Sequence, residues 1–398
     1  MEPGPKALGA KNRLHTRPVT RRFPAVRILL ILSLMLSSLG IARADWTVIT
    51  VNGRRHVPIE DVATFYKMNR MASAKGFQIS APGRTITGRA GGREVMINGV
   101  KYVLCFPIVE RGGRTLISAM DVTKIIEPVM RPQKIKNAAA VRTVVLDAGH
   151  GGHDSGAVGP LGREKDATLD VVLRAKRLLE AAGYTVKLTR STDTFIPLEQ
   201  RAAYANQFSN AIFVSVHFNK SNTTGGTGIE TYCLAPRGVP SMDEESLSYS
   251  DLKLHPGHAH DAENVALATA VHWAMLRGSP LYDRGIKRAR FLVIKNIKVP
   301  GILVEGGFMN NSLDSRMIAG PMYRQQLAQA IVNGVNRYRQ AVGSPAPSQV
   351  PSVAVSAPAA STPPDLSKYG VGAPPSRTRN SQEAVAQTVE SLDSSEKN

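Results

Sequence analysis

The sequence predicts an α/β protein: a parallel or mixed sheet with helices on both faces, preceded by a small β-rich domain. Three observations carry this. From Val141 to about Val342, short apolar runs alternate with segments of helical periodicity, the pattern of a sheet layered between helices. Before them, β-branched runs are punctuated by Asn-Gly turns, a hairpin signal. The length, 398 residues, suits about two domains, and a hydrophobic content of 42% is enough to build their cores.

Taken in order, residues 1–44 read as an address. Arg21-Arg22 precedes an apolar run from Val26 to Ile41, and Ala42-Arg43-Ala44 follows, the small-x-small pattern of signal-peptide cleavage. The run is shorter than the ~20 residues a membrane span needs, so cleavage after Ala44 is expected and an uncleaved anchor is the alternative. No stable membrane span is expected after cleavage. Residues 45–130 form the β-rich domain. Trp46–Val51 runs into Asn52-Gly53, and Glu94–Ile97 into Asn98-Gly99. An internal echo links Gly53-Arg54, Val57 and Asp61-Val62 to Gly113-Arg114, Ile117 and Asp121-Val122. Each copy feeds a short helix, Ile59–Met68 or Ala119–Ile126. This spacing resembles small stalk domains found beside cell-wall enzymes, related to the copper amine oxidase N-terminal domain, and its expected role is packing or tethering.

Residues 131–140 are a basic linker. Residues 141–343 hold the denser domain, with strands at Thr143–Leu146, Tyr184–Leu188, Ala211–Val216 and Gly301–Val304. Helices are expected from near Asp166 to Gly183, from Glu263 to Leu276 and from Met322 to Ala341. Residues 344–398 are rich in Pro, Ala, Ser and Thr without an apolar face, and are expected to be disordered.

Charge and cysteine content narrow the function. The chain carries 50 Lys+Arg against 31 Asp+Glu, a net +19. Eight basic residues and one acid precede Asp45, which leaves +12 beyond it. A basic exported chain fits an anionic wall polymer. A nucleic-acid role is disfavoured, because no basic helix with base-reading side chains is present. Two cysteines, Cys105 and Cys233, exclude a disulfide scaffold and a Cys-based metal cluster. They leave open one disulfide or two free thiols.

The chemistry sits where strands end, the place where open α/β sheets bind ligands. His150 follows the first strand of the dense domain, His217 ends the third and Glu305 ends the last, while Glu164 stands just before the helix expected from near Asp166. Two histidines and a carboxylate leave a fourth coordination position free, the arrangement of catalytic zinc. One zinc is therefore expected on His150, Glu164 and His217, with Glu305 as proton acceptor and donor. Asp147 is a candidate for orienting an imidazole. Arg190 and Arg201 are expected in ion pairs with Asp193 or Glu199, with binding of substrate carboxylates as the alternative. Glu230 is read as a structural carboxylate or a substrate contact. His153 is expected to be solvated or to support the ligands, and His272 to be structural. His255, His258 and His260 form a cluster in a Pro- and Gly-broken stretch whose spacing does not secure coordination.

The segments Asp147–Ala157, Glu164-Lys165, Thr189-Arg190, Ser215–Asn219, Gly228–Tyr232, Arg284–Lys287 and Val304–Asn311 occur in that order. Together they resemble the zinc-dependent N-acetylmuramoyl-L-alanine amidases of the amidase 3 type, across nearly the whole second domain. The resemblance implies a three-layer α/β/α catalytic domain with a mainly six-stranded sheet and one zinc. It also implies cleavage of the amide between N-acetylmuramic acid and L-alanine of the peptidoglycan stem peptide, in a periplasmic or cell-wall-associated protein that remodels the wall or separates cells. The same ligand set carries over, with Glu305 as the catalytic carboxylate. A zinc metallopeptidase of stem peptides and a non-catalytic wall-binding protein are the alternatives. Cys233–Ala262 is long beside the compact family pattern. Because some relatives cover the cleft with an insert until a protein activator displaces it, this segment is expected to be either such a lid or a plain surface loop.

Overall fold

A computed structural model describes residues 46–71, 76–136, 138, 140–223, 225–242 and 246–346. The expected signal peptide, the acidic Asp243–Glu245 run and the tail beyond residue 346 lie outside the described residues.

The amino-terminal part holds β1 (Ile49–Val51), β2 (Arg54–Pro58), α1 (Ile59–Tyr66), β3 (Asn69–Met71), β4 (Phe77–Ala81), β5 (Arg84–Gly88), β6 (Glu94–Ile97), β7 (Val100–Val103), β8 (Val109–Arg111) and β9 (Arg114–Ser118). A helical run follows: α2 (Ala119–Asp121), a π-turn over Val122–Ile126 and α3 (Glu127–Met130). Both Asn-Gly pairs sit at positive φ, with Asn52 at 49° and Gly53 at 73°, and Asn98 at 52° and Gly99 at 79°. Such left-handed pairs let the chain reverse along the natural strand twist. The sequence echo has a structural counterpart. The hairpins β1–β2 and β8–β9 join back to back in the order β1-β2-β9-β8, and Val57 pairs with Ile117.

The second part runs β10 (Thr143–Ala148), β11 (Val158–Gly159), β12 (Gly162–Arg163), α4 (Glu164–Ala181), β13 (Thr185–Leu188), α5 (Leu198–Ala205), β14 (Ala211–Asn219) and β15 (Ile229–Leu234). It continues through α6 (Asp261–Gly278), β16 (Asp283–Ala289), α7 (Leu292–Lys295), β17 (Gly301–Phe308), α8 (Ser312–Ala319) and α9 (Pro321–Ala341). Six of these strands stand in the order β13-β10-β14-β17-β15-β16, as expected for the three-layer domain. Strands β13, β10, β14 and β17 are parallel, and β15 runs antiparallel to β17. The central strands are largely buried and mostly apolar because helices cover both faces. On one face α4, α6 and α9 pack together over the sheet. On the other, Ala202 and Ala205 of α5 and Val293 and Ile294 of α7 close a core around Phe213 and Leu303.

The sheet continues past β16. Ile286 bridges to Tyr102 in parallel register, and β7, β6, β5, β4 and β3 extend the sheet to eleven strands. A buried charge reinforces the junction. Arg288, 3% exposed, donates to Asp261 Oδ1 at 2.8 Å, to Leu234 O at 2.9 Å and to Lys124 O of the π-turn. A guanidinium taken out of water needs such partners. Beside it Asp121 accepts the backbone N–H of Cys105 (2.6 Å) and of Phe106 (3.2 Å). Burial raises its pKa to about 6 despite those bonds. Cys105 and Cys233 are both buried free thiols. Within residues 131–140, Pro132–Lys134 forms a 3-10 turn.

The reversal of β15 fixes where the insert lies. Glu230 pairs with Glu305 and Tyr232 with Leu303, so the chain leaves Leu234 at the end of the sheet away from Glu305. The insert is fastened there. His258 Nε2 meets Ala235 O at 2.9 Å, and His260 Nε2 meets Lys298 O at 2.9 Å. Asp251 takes the Arg290 guanidinium at 2.6 Å. Of the two expectations, lid or plain surface loop, the described part of this segment fits the loop: it is rooted at the opposite end of the strands from the candidate site.

Candidate metal centre

The site is built at the carboxyl ends of β10 and β14 and the amino end of α4. The chain turns sharply after β10, and His150 adopts a left-handed backbone at φ 60°, an uncommon state for a non-glycine residue that marks a locally over-determined position. The preceding Gly149 is required by space. A Cβ there would lie 2.3 Å from the His217 ring, so the loop backbone touches the imidazole directly.

His150, Glu164 and His217 come together, with one donor atom from each within 4.8 Å of the others. His217 Nδ1 is 2.8 Å and His150 Nε2 is 3.1 Å from Glu164 Oε1. Donors that share one zinc at ~2.0–2.2 Å stand roughly 3–3.5 Å apart, so this set fits such an ion. The chemistry fits as well: two imidazoles and one carboxylate are zinc ligands of the open, three-protein-donor kind. Glu164 is buried, at 4% exposed, and its charge is compensated. Ala157 N–H donates to Oε2 at 2.8 Å and Phe218 N–H to Oε1 at 3.0 Å. Burial works against its ionised form, but the two histidines outweigh burial and hold its pKa well below the usual carboxylate range. The same pairing, with Asp154, raises the His150 pKa in spite of burial.

Glu305 lies beside this cluster. It pairs with His217 across β14–β17 and with Glu230 across β15–β17. Its Oε2 is out of contact with solvent and accepts no hydrogen bond. Burial, then the nearby charges of Glu164 and Glu230, push its pKa well above the normal range, and Lys287 offsets this in part. Glu230 is the structural carboxylate. It is 1% exposed and receives Lys287 Nζ at 2.6 Å, Tyr232 Oη at 2.6 Å, Asn219 Nδ2 at 3.1 Å and the Arg284 guanidinium.

The supporting residues differ from expectation in two places. Asp154, rather than Asp147, meets a histidine of the cluster: His150 Nδ1 lies 2.8 Å from Asp154 Oδ2. Asp147 is spent below the site, accepting from Thr189 Oγ1 (2.6 Å), Ser215 Oγ (2.7 Å) and Arg201 (2.8 Å). Arg201 thus pairs with Asp147 and also donates to the carbonyls of Ala148 and His150. Arg190 donates to the carbonyls of Ala148, Gly149, Thr192 and Lys165. Neither arginine meets Asp193 or Glu199; Asp193 pairs with Lys165 at 2.6 Å. The two guanidiniums act as internal staples for the histidine-bearing loop. The sequence hint for Asp154 was its place four residues after His150 in a loop tight enough to fold back.

The remaining histidines serve elsewhere. His153 is exposed and stacks near Phe195 at 4.2 Å between ring centres. His272 is fully buried between Thr231 Oγ1 (2.9 Å) and Asp283 Oδ1 (3.0 Å). In the insert, His258 and His260 commit their ring nitrogens to protein partners, and His255 joins no group of three metal-capable donors among the described residues.

An α/β sheet with a two-histidine, one-glutamate cluster able to hold a metal ion, and a buried carboxyl of raised proton affinity beside it, is an arrangement suited to hydrolysis. Residues 144–337 match the N-acetylmuramoyl-L-alanine amidase family. The chain is 31% identical over 227 residues to the amidase AmiA of Escherichia coli, covering 52% of this chain and 78% of that protein. It is 31% identical over 216 residues to AmiC of Neisseria meningitidis, covering 49% and 52% respectively, so it spans about half the length of that relative. Among solved structures, the amidase AmiC2 of Nostoc punctiforme shares 33% identity, with 51% of this chain and 99% of that chain covered and a TM-score of 0.42. The chain belongs to the N-acetylmuramoyl-L-alanine amidase family and is a cell-wall amidase.

Proposed function

We propose that the chain is an exported, zinc-dependent amidase that hydrolyses the bond between the lactyl group of N-acetylmuramic acid and the L-alanine of the stem peptide, in wall remodelling or cell separation. The observation that carries this reading is the row formed by the His150–Glu164–His217 cluster and the unpartnered Glu305 carboxyl beside it. His150, Glu164 and His217 would hold the zinc, which when bound polarises a carbonyl and acidifies water. Asp154 fixes the His150 ring, and Glu164 is held by two backbone N–H groups, so the donors are pre-set. Glu305 moves the proton. Its raised proton affinity suits it to take the proton that water loses on attacking the amide carbonyl, then to deliver that proton to the departing alanine nitrogen. Lys287 and Arg284 stay paired to Glu230, and Lys287 limits how far Glu305 departs from an ordinary carboxyl.

Basic charge beyond the signal segment supports work at an anionic wall, and the tract before Ala44 supports export. The described helices include none long and apolar enough to cross a membrane. Mass spectrometry of digested sacculi tests the proposal. The parent chain should release stem peptides beginning with L-alanine and leave the glycan intact, and Glu305→Gln should slow this by about 10²–10⁴-fold. Cuts within the peptide would show a peptidase instead.

A further inference from the structure

The catalytic row extends beyond the family domain. Side chains directly opposite each other on paired strands share a face of the sheet, and residues two apart on a strand do as well. His217, Glu305 and Glu230 therefore stand on one face. Lys287, paired with Tyr232, shares it and reaches back to Glu230. The Ile286–Tyr102 bridge puts Lys101 on the same face. From there the pairs Lys101–Met96, Met96–Thr87, Thr87–Gln78 and Gln78–Met71 carry the face to β3.

The two faces of β3–β7 have different chemistry. One buries Phe77, Ile79, Ile86, Val95, Ile97 and Tyr102, each at most 1% exposed. The face continuous with the site presents Asn69, Gln78, Ser80, Thr85 and Thr87, with Met71 at 48% exposed and Met96 half-buried. A solvated sheet face in a chain with 50 Lys+Arg would ordinarily carry lysines and arginines. Here, from β3 to β6, the paired positions on this face hold one ionisable side chain, Glu94. What remains is a nearly uncharged field of hydroxyls and amides. From β17 to β5 is five strand steps, roughly 24 Å at ~4.8 Å each.

We propose that this open face binds the glycan strand of the substrate: a polymer of N-acetylated sugars, uncharged where its lactyl groups are held as amides to stem peptides, whose hydroxyl and amide groups match the side chains on offer. The occupant is argued from the continuity of this face with the cleavage row and from its lack of charge, which disfavours a polyanion. The inference rests on the amidase reading for the identity of the polymer. It makes the amino-terminal strands a platform that holds the polysaccharide while the cluster acts on its peptide branch.

Co-sedimentation of the full chain carrying Glu305→Gln with chitin, an uncharged polymer of N-acetylglucosamine, tests it. The proposal expects binding, weakened about tenfold by Gln78→Glu with Thr87→Glu, weakened also by Thr85→Glu at an exposed position that cannot disturb the core, and retained by Gln78→Asn with Thr87→Ser, at the same unfolding midpoint throughout. Failure of the parent to bind chitin, or undiminished binding by both charged variants, overturns the proposal. So does loss of self-association in place of glycan binding, which would make the face a contact between copies of this chain. Cleavage of a soluble muramoyl peptide by the unsubstituted chain reports on the amidase reading separately: glycan binding without that cleavage would sink the reading and leave the surface standing.

Discussion

The two ends of the sheet each gather histidines, and only one end builds a cluster. At the carboxyl ends of β10 and β14, His150 and His217 are 67 positions apart in the sequence yet both lie within 3.1 Å of one Glu164 oxygen. At the other end His255, His258 and His260 fall within one short stretch, but His258 and His260 turn their nitrogens to separate carbonyls and to Glu263, and among the described residues the three do not join in a group of metal-capable donors. Proximity along the chain is a poor guide to coordination. The fold of the sheet, which delivers distant side chains from strand ends to one point, is the better one.

This contrast predicts a ranked set of effects. Replacing His217 with Ala should remove zinc from the chain and lower amidase turnover by about a thousandfold or more, read by metal analysis and release of soluble peptide. Retention of one equivalent of zinc would place the ion elsewhere. Next comes the support beneath the loop. Asp147→Asn leaves the buried Arg201 charge unpaired and should cost about 3–5 kcal/mol in urea unfolding. Burial opposes the Asp147 charge, but Arg201, Thr189 and Ser215 hold its pKa below the usual range. The stability it contributes is therefore complete above the unfolded aspartate value of ~3.9, and is lost as pH falls through the lower folded value. In the Asn variant that portion of the acid loss should vanish.

Smaller effects follow. Asp154→Asn should weaken zinc affinity about 10–100-fold by freeing the His150 ring, measured by competition with a chelator. His258→Ala, at the far end, should cost only about 1 kcal/mol and leave zinc content and turnover unchanged. A drop in bound zinc there would erase the distinction between the two ends.

Much of this was legible in the sequence because apolar runs such as Thr143–Leu146 and Ala211–Val216 mark strands, and polar residues directly after them fall at strand ends. His150, His217 and Glu305 were found in that way. What escaped depends on non-local geometry. The orienting role of Asp154 requires the loop to fold back on itself, and the pairing of Arg201 with Asp147 spans 54 positions. The direction of β15 decides whether the insert borders the cleft, and no residue pattern within Ile229–Leu234 encodes it. The continuity of the sheet hangs on the junction of Ile286 with Tyr102, between strands 184 positions apart, where each strand reads the same whether or not the other is beside it.

Anomalous X-ray scattering at the zinc edge, on crystals of the full chain, addresses the central claim most directly. A single peak bounded by His150, Glu164 and His217, with Glu305 alongside and outside the ligand set, is the predicted result. A peak at His255–His260, or a zinc-loaded active enzyme with no density among those three side chains, would contradict it.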